Sequence, residues 1–472
     1  MSNSSYKYAL WSLGERYVPV SLQIISTLIL TRMIMPSDFS EVAIVTAITE
    51  ILTLVISAGM SEGLIYNKNN SDVLYSSVFY ANFGIALILY LILFGAAPSI
   101  SAFYKMPRLK FLIWVAGLNM VFYSFSYIHR TIYSINLNFK TPATITLISS
   151  ITGCCVGLTL AFRDFGVWAL VFQSLTINLS QSVLFWFKNK WRPSKVFSWL
   201  ELKKILPFSI NVFLNNLVQA LYDNIYTLLL GRFQPAKLLG FYNRMQSVVY
   251  LTTTNLSYSL ERVYYPILAR IKDDIEHLRS KYLQITRLIV YLSYPVLIIL
   301  IGSGRDIIII VLTEKWVEGY NVLMLLCCAF FFTPLMYINN AYMKLLNKTK
   351  VLFYAGLYRK IVGILILLIT ITTTMTNILL GIILTFSIEW LITSGCIQKY
   401  LRISVISQII NVLPIILVNV VVYLLMIFFN QRIEAIFIRV FVNIVCAFIV
   451  YFVWLILFKP RVYFDIKSLI RK

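Results

Sequence analysis

The 472-residue sequence has little of what most enzyme active sites are built from. It contains only two histidines, His129 and His277, and six cysteines, none of them in a CxxC spacing. Because all six cysteines lie in apolar segments, buried structural thiols are favoured over disulfides or metal ligands. Two histidines are too few for a zinc site or a histidine-based nucleophile system. We therefore expect no metal, no cofactor and no catalytic centre.

The sequence also lacks the patterns that accompany a basic nucleic-acid-binding protein. Its formal net charge is +22, yet it has no Gly-rich phosphate loop, no zinc-finger spacing and no basic helix with interleaved aromatics. Instead, 59% of the residues are hydrophobic and the mean hydropathy is +0.81, well above a soluble domain. In a membrane protein, Lys and Arg accumulate in cytoplasmic loops. The composition therefore predicts a membrane protein and no nucleic-acid partner.

Apolar segments long enough to cross a bilayer fill the chain nearly from end to end. A span needs about 20 apolar residues, and by this criterion the sequence predicts about fourteen transmembrane helices and an all-α fold. The predicted spans are 9–31, 40–64, 73–98, 111–130, 141–162, 166–187, 205–230, 237–260, 284–304, 319–340, 350–370, 374–396, 405–428 and 434–457.

Loop charges predict the orientation. If the N-terminus is cytoplasmic, the basic stretches 188–204, 270–287 and 344–350 all fall on the cytoplasmic side, together with the C-terminal tail. The opposite loops carry roughly half as many positive charges. By the positive-inside rule, both termini are expected in the cytoplasm.

The first and seventh predicted spans end in similar sequences. Thr27-Leu-Ile-Leu-Thr-Arg32 precedes Pro36, and Thr227-Leu-Leu-Leu-Gly-Arg232 precedes Pro235. Together with the basic segment between them, this similarity predicts duplicated halves, a recurring plan among transporters. The expected domains are an N-lobe of six spans at 1–187, a cytoplasmic linker at 188–204, a C-lobe at 205–398, and two further spans with a basic tail at 399–472.

One segment has a different pattern. Val263, Ile267, Ile271, Ile275 and Leu278 recur at helical spacing among charged residues. This periodicity predicts an amphipathic cytoplasmic helix over 262–283, lying on the membrane or packed beneath the bundle.

Asp223 and Arg244 are charged residues in a predicted apolar hairpin. At about 1.5 Å per residue they would lie roughly 16 and 10 Å below the same membrane face. An ionised side chain at such depth is costly unless it meets a partner or a wet cavity. The two residues are therefore expected either to pair as a structural ion pair or to line a polar interior.

Four further charged residues fall inside predicted spans: Glu15, Arg16, Glu50 and Glu389. Arginine suits a diphosphate or carboxylate, because its planar fork donates two hydrogen bonds to an oxyanion. Acidic groups in transporters bind or release H⁺ or Na⁺. We therefore predict Arg16, Arg244 and Asp223 as substrate-binding residues, and Glu15, Glu50 and Glu389 as ion-coupling or cavity-lining residues. A structural Glu15–Arg16 pair remains an alternative.

Short motifs in order along the chain carry a family resemblance. Asp223, Gly231-Arg232, Leu239-Gly240 and Tyr242-Asn243-Arg244, followed by Asp273-Asp274, resemble the polysaccharide transporter family of the multidrug/oligosaccharidyl-lipid/polysaccharide (MOP) flippase superfamily. The likeness is greatest to exporters of colanic and teichuronic acid and to Wzx-type O-antigen flippases. The sequence departs from the family pattern at Ser61-Glu62, where small apolar residues are common, and in the loop from Asn67.

The resemblance implies two six-helix lobes around a central cavity, two extra C-terminal helices, and alternation between inward-open and outward-open states. It also implies a substrate, an undecaprenyl-diphosphate-linked oligosaccharide, flipped from the cytoplasmic to the periplasmic leaflet of a bacterial inner membrane. Membrane lipid is one implied partner, and the polymerase and chain-length machinery of polysaccharide synthesis is another.

Three alternatives stay open. A multidrug or small-molecule cation antiporter of the same superfamily should have a more acidic and apolar cavity. A membrane-embedded polysaccharide polymerase or acyltransferase would need a large outer loop or buried catalytic His and Arg residues, whereas the outer loops here are short. A purely structural membrane scaffold would leave the buried charges unexplained.

Overall fold

A computed structural model describes residues 22, 25–67, 70–457 and 461–462. All regular secondary structure in these ranges is helical, with no strand among the described residues. This confirms the all-α fold expected from the apolar spans. A chain in lipid satisfies its backbone polar groups within each helix, which is why apolar segments of this length fold as helices.

The helices divide between two compact units, one up to Gly240 and one from Phe241 onward. The first unit holds α1 (residues 25–33), α2 (Pro36–Ser57), α3 (Met60–Tyr66), α4 (Asp72–Tyr104), α5 (Leu109–Ile135), α6 (Lys140–Phe162), α7 (Val167–Lys188) and α8 (Trp199–Phe233). Helix α9 (Ala236–Ala269) continues the chain from the first unit into the second.

The second unit continues with α10 (Ile275–Val311), a 3₁₀ turn (Glu314–Gly319), α11 (Tyr320–Phe330), α12 (Thr333–Leu345), α13 (Thr349–Thr370), α14 (Met375–Leu401), α15 (Val405–Arg432) and α16 (Ile436–Leu457). Its core includes Leu268 of α9, Leu278 of α10 and Tyr342 of α12, all fully buried.

The basic segment 188–204 is part of the first unit. The backbone N–H groups of Ser194 and Ser198 donate to the hydroxyls of Ser76 and Ser77 on α4, at 2.9 and 2.8 Å. Just beyond, Leu202 at the start of α8 is buried in the core cluster of the first unit. The first unit therefore extends past the linker predicted at 188–204 and includes all of α8.

Twelve helical segments in the described part of the chain are long and apolar enough to cross a membrane. They account for the predicted spans except the first and the eighth. The first, 9–31, lies mostly outside the described residues. The eighth, 237–260, is helix α9, which has 34 residues but a more polar composition than the others.

The two hairpins that look alike in sequence are also alike in structure. Helix α1 ends at residue 33 and α2 begins at Pro36; α8 ends at Phe233 and α9 begins at Ala236. The offset between the two hairpins is 200 residues at both helix boundaries. The helix boundaries thus repeat with the same offset as the similar sequences, and the duplication of the halves stays a prediction.

The predicted amphipathic helix 262–283 does not exist as a separate element. Helix α9 runs to Ala269, a turn follows, and α10 starts at Ile275. Asp274 caps α10, its carboxylate accepting a hydrogen bond from the N–H of His277 at 3.0 Å. The amphipathic pattern is that of two helix ends. Leu278 is buried in the core cluster of the second unit and Ile271 packs against it, whereas Ile267 and Ile275 are more than half exposed.

Gly240, in one of the family-like motifs, is required by close packing within the first unit. A Cβ at this position would lie 1.9 Å from the carbonyl oxygen of Pro36, the first residue of α2. Backbone cannot yield as a flexible side chain does, so only glycine fits where the start of α9 meets the start of α2.

Candidate functional site

Helix α8 exposes two sides of opposite character. Its apolar side carries Leu214, Val218 and Leu221, which are 50%, 45% and 46% exposed, as expected of a lipid-facing surface. At 100° per residue, a second side groups five exposed polar residues. They are Asn211, Asn215, Asn216, Gln219 and Asp223. Amides and a carboxylate in a membrane span are stable only against water, a ligand or other protein groups.

Two predicted acidic residues meet within the first unit. The side-chain amide of Asn224 on α8 donates to Oε2 of Glu50 on α2 at 3.5 Å. The carboxyl of Asp223 is close enough to that of Glu50 for their charges to repel. Asp223 also accepts a hydrogen bond from Gln219 at 2.8 Å. The structure therefore gathers Glu50 and Asp223 into one exposed polar cluster, with amide groups as their hydrogen-bond donors.

This cluster has the chemistry to hold a proton or a small cation, because two nearby carboxylates favour any positive charge placed between them. Among the described residues, no three His, Cys, Asp or Glu side chains come together as a metal site. Coupling to H⁺ or Na⁺ through Glu50 remains a prediction.

Arg244 lies on α9 in the second unit, between the fully buried residues Tyr242 and Met245. Its Nε–H is buried and has no hydrogen-bond acceptor among the described residues. A buried donor left unpaired costs about 1–3 kcal/mol, and more when it belongs to a charged group. A guanidinium in this condition is suited to receive an oxyanion, which accepts two of its N–H groups at once.

The predicted pairing of Asp223 with Arg244 stays a prediction. Asp223 belongs to the first unit and accepts a hydrogen bond from Gln219 there, whereas Arg244 belongs to the second unit. Glu15 and Arg16 lie outside the described residues.

Glu389 on α14 forms a buried ion pair that we did not predict from the sequence. Its Oε2 accepts a hydrogen bond from Nη1 of Arg359 on α13 at 2.9 Å, and its side chain is 10% exposed. A carboxylate that is already neutralised in this way is well suited to holding α13 against α14. A role of Glu389 in ion coupling remains a prediction.

The amides of α8 are the site residues that sequence reasoning missed. A search for charged residues in apolar spans finds Asp223 but passes over the neutral amides. The available signal was their repetition at helical spacing inside one predicted span. Arg359 gave a second signal: it lies in the span before Glu389, at a comparable distance from the shared turn at 371–374.

The family pattern described as "Polysaccharide biosynthesis protein" matches residues 29–321, which is more than half of the chain. An "Uncharacterized membrane protein in cps region" of Klebsiella pneumoniae is 26% identical over 325 residues, covering 68% of this chain and 66% of that protein. The "Teichuronic acid biosynthesis protein TuaB" of Bacillus subtilis (strain 168) is 24% identical, covering 71% and 69%. The chain thus aligns with about two thirds of each relative's length.

Solved structures share the fold. "Lipid II flippase MurJ, inward closed conformation" superposes with a TM-score of 0.77 at 14% identity, covering 96% of this chain and all of that one. A "multidrug resistance MATE family transporter of the MOP superfamily" in its inward-facing conformation gives 0.59 at 14% identity, covering 83% and 99%. These likenesses confirm the fold expected from the motifs.

Proposed function

The chain belongs to the polysaccharide biosynthesis protein family, and from this premise we propose that it flips undecaprenyl-diphosphate-linked oligosaccharide repeat units across the membrane. The repeat units would serve O-antigen, capsule or exopolysaccharide synthesis. The observation that carries the proposal is Arg244, a half-buried arginine whose buried Nε–H has no partner among the described residues. An anionic ligand would accept a hydrogen bond from this N–H, and the lost hydrogen-bonding free energy would then be recovered on binding.

A diphosphate linked to a polyprenyl chain fits this requirement. Its charged headgroup cannot cross the hydrocarbon core unaided, whereas its apolar tail is soluble in lipid. Arg244 would receive the diphosphate, and Arg16 stays a predicted substrate-binding residue outside the described residues. The polar side of α8 would offer hydrogen-bond partners to the sugars as they pass. The tail would stay outside, against apolar surfaces such as the one around Leu214 and Val218.

Transport rather than catalysis follows from the same chemistry. Moving a headgroup between leaflets breaks no covalent bond, so it needs binding groups and alternating access to the two sides. We place the protein in the bacterial cytoplasmic membrane with both termini cytoplasmic, in accord with the loop charges. The multidrug-antiporter alternative shares the fold but gives Arg244 no anion to bind.

Reconstitution tests the proposal. Purified protein is placed in liposomes that carry an undecaprenyl-diphosphate-linked oligosaccharide, and the fraction of sugar reachable by an impermeant oxidant is followed over time. We expect transfer between leaflets that protein-free liposomes lack. An unchanged leaflet distribution, both with and without an H⁺ or Na⁺ gradient, would overturn the proposal. Uptake of a lipophilic cation in the same vesicles would support the antiporter instead.

In cells, deletion of the gene should trap lipid-linked repeat units on the cytoplasmic leaflet. The units would then accumulate out of reach of externally added glycosidase, while their synthesis continues.

A further inference from the structure

The first unit contains a polar cavity of about 310 Å³ that none of the predicted site residues lines. Residues from five helices form its wall, among them Ser57 of α2, Glu62 of α3, Tyr123 of α5, Gln181 of α7 and Asn216 of α8. Ligand pockets in proteins measure about 300–1,000 Å³. This one therefore lies at the small end of that range, where a sugar ring fits and a whole repeat unit does not.

A break in the second predicted span helps to shape the cavity. Helix α2 ends at Ser57, and Ala58 and Gly59 take left-handed backbone angles, with φ of 42° and 67°, before α3 begins. Gly59 is needed for space as well, since a Cβ there would lie 2.3 Å from the carbonyl oxygen of Ser209 on α8. Non-helical backbone at membrane depth is tolerated where it is buried or lines a polar cavity, and broken helices form substrate sites in transporters.

Tyr127 of α5 fixes this break. Its hydroxyl accepts a hydrogen bond from the N–H of Ser61 at 2.7 Å and donates to the carbonyl of Ser57 at 3.4 Å. Next to it, the hydroxyls of Ser61 and Thr131 are 2.9 Å apart. One buried side chain thus satisfies backbone groups on both sides of the break, so the wall of the cavity is preorganised.

The wall has the chemistry that a sugar requires. Hydroxyls and amides dominate it, with one carboxylate, Glu62, and one guanidinium, Arg130. A pyranose ring carries hydroxyl groups around its rim that both donate and accept, and C–H groups on its faces. Carboxylates and amides pair with the rim, and the aromatic rings of Tyr123 and Phe213 offer surfaces for the faces.

The same two helices, α2 and α8, line the cavity and carry the cluster of Glu50 and Asp223. Glu50 and Ser57 are two turns apart on α2, about 10 Å along the axis. Asn216 and Asp223 have the same spacing on α8. The neighbouring helices α2 and α8 thus each carry polar groups from the cavity towards the exposed Glu50–Asp223 cluster, and together they form a hydrophilic track along the first unit.

We propose that this cavity is a sugar-binding subsite that receives one ring of the lipid-linked oligosaccharide and selects repeat units by their sugars. The inference rests on the proposed flippase function and deepens it. Ser61 and Glu62, on the helix that follows the break, belong to the wall. By its loop charges, Arg130 marks the cavity as lying towards the cytoplasmic face, where a headgroup is first met.

Adjacent asparagines on α8 provide a matched test. Asn215 and Asn216 are both exposed, but only Asn216 lines the cavity. In the full-length protein in liposomes, Asn216→Cys and Asn215→Cys are labelled with an impermeant maleimide, and modification at each position is read by peptide mass spectrometry. The probes are undecaprenyl diphosphate with no sugar and the same lipid carrying a defined trisaccharide.

At a lipid concentration about ten times Kd, the unoccupied fraction of a site falls to roughly one tenth. We therefore expect the trisaccharide lipid to slow labelling of Asn216→Cys about tenfold, and of Asn215→Cys much less. The sugar-free lipid should leave both rates unchanged. Equal protection of Asn216→Cys by both lipids would overturn the inference, since the cavity would then respond to the diphosphate. Absence of protection while the trisaccharide lipid is still flipped would overturn it as well.

A transport readout separates this inference from the flippase proposal. Glu62→Gln changes one exposed wall residue and should alter the relative flipping rates of lipids with different sugars, leaving total flipping measurable. Unaltered sugar preference with normal flipping refutes the subsite alone. If the wild-type protein flips none of these lipids, the flippase proposal itself is refuted.

Discussion

Arg439 on α16 donates two parallel hydrogen bonds to the carboxylate of Asp306 on α10. Its Nε donates to Oδ2 at 2.5 Å and its Nη2 donates to Oδ1. The Asp306 side chain is only 7% exposed and that of Arg439 is 19% exposed. Nearby, the amide of Asn443 donates to the hydroxyl of Ser303, again joining α16 to α10. Helix α16 is therefore attached to α10 by polar contacts as well as by apolar packing.

Breaking this ion pair should loosen the attachment of α16. Removing one partner of a buried pair costs about 3–5 kcal/mol, because the other charge is left uncompensated. We expect Arg439→Ala and Asp306→Ala each to lower the apparent unfolding temperature in detergent. Arg432→Ala removes an exposed arginine at the end of the neighbouring helix α15 and should have little effect. A double variant much more stable than either single variant would confirm the coupling of the two charges.

Gly240→Ala should be strongly destabilising. The added methyl group would overlap the carbonyl oxygen of Pro36, so α9 would have to move away from α2. Gly356→Ala is the matched control, because that helical glycine has nothing within 4 Å of the new Cβ. Alanine in place of glycine in a helix gains about 1 kcal/mol where no clash occurs. The unfolding temperature should therefore fall in Gly240→Ala and rise in Gly356→Ala. An unchanged unfolding temperature in Gly240→Ala would contradict the close packing.

Arg244→Ala should reduce flipping in liposomes by at least about tenfold, which corresponds to about 1.4 kcal/mol of lost anion binding. The control is Arg108→Ala, which removes an arginine whose side chain is 72% exposed and whose contact with Asp38 is long, at 3.9 Å. Arg244→Lys keeps the charge but loses the planar fork, so an intermediate rate is expected. Equal rates for the two alanine variants, at equal protein level, would remove Arg244 from the substrate site.

Exchanging the partners of the Arg359–Glu389 pair separates structure from ion coupling. If the pair only holds α13 against α14, Arg359→Glu combined with Glu389→Arg should recover much of the stability lost in either single variant, and flipping should recover with it. Ion coupling needs a carboxylate at position 389 itself. Recovery of stability without recovery of flipping would therefore assign the coupling role to Glu389.

Glu50→Gln tests coupling in the first unit. The amide keeps the size of the side chain but removes one of the two charges that repel each other in the cluster with Asp223. We expect flipping that no longer changes with an imposed H⁺ or Na⁺ gradient, whereas the wild-type rate does. Glu201→Gln, on the same helix as Asp223 but next to Lys204, is the control and should keep the gradient response. An unchanged response in Glu50→Gln would exclude Glu50 from coupling.

Most of the helical architecture could be predicted from the sequence. Apolar length determines where helices cross a membrane, and the predicted ends of the spans at both hairpins lie within four residues of the helix ends. The predicted helix 262–283 failed because periodicity shows which face of a helix is apolar but not where one helix stops and the next begins. There the cap at Asp274 divides the pattern between α9 and α10.

The candidate site could be predicted only in part. Glu50, Asp223, Arg244 and Glu389 stand out because a charge in an apolar span is costly. The neutral amides of α8 carry no such signal one at a time. The cavity around Ser57 and Asn216 has even less signal in the sequence, because residues from five separate helices form its wall.

The sequence by itself thus determined that this is an α-helical membrane protein with charges inside its spans, because hydropathy and insertion cost depend on local composition. The tertiary structure decided the partners of those charges. It paired Glu389 with Arg359, brought Glu50 next to Asn224, and left the Nε–H of Arg244 without an acceptor among the described residues. Such pairings depend on the rotation and register of helices far apart in the chain, which packing sets and local composition does not.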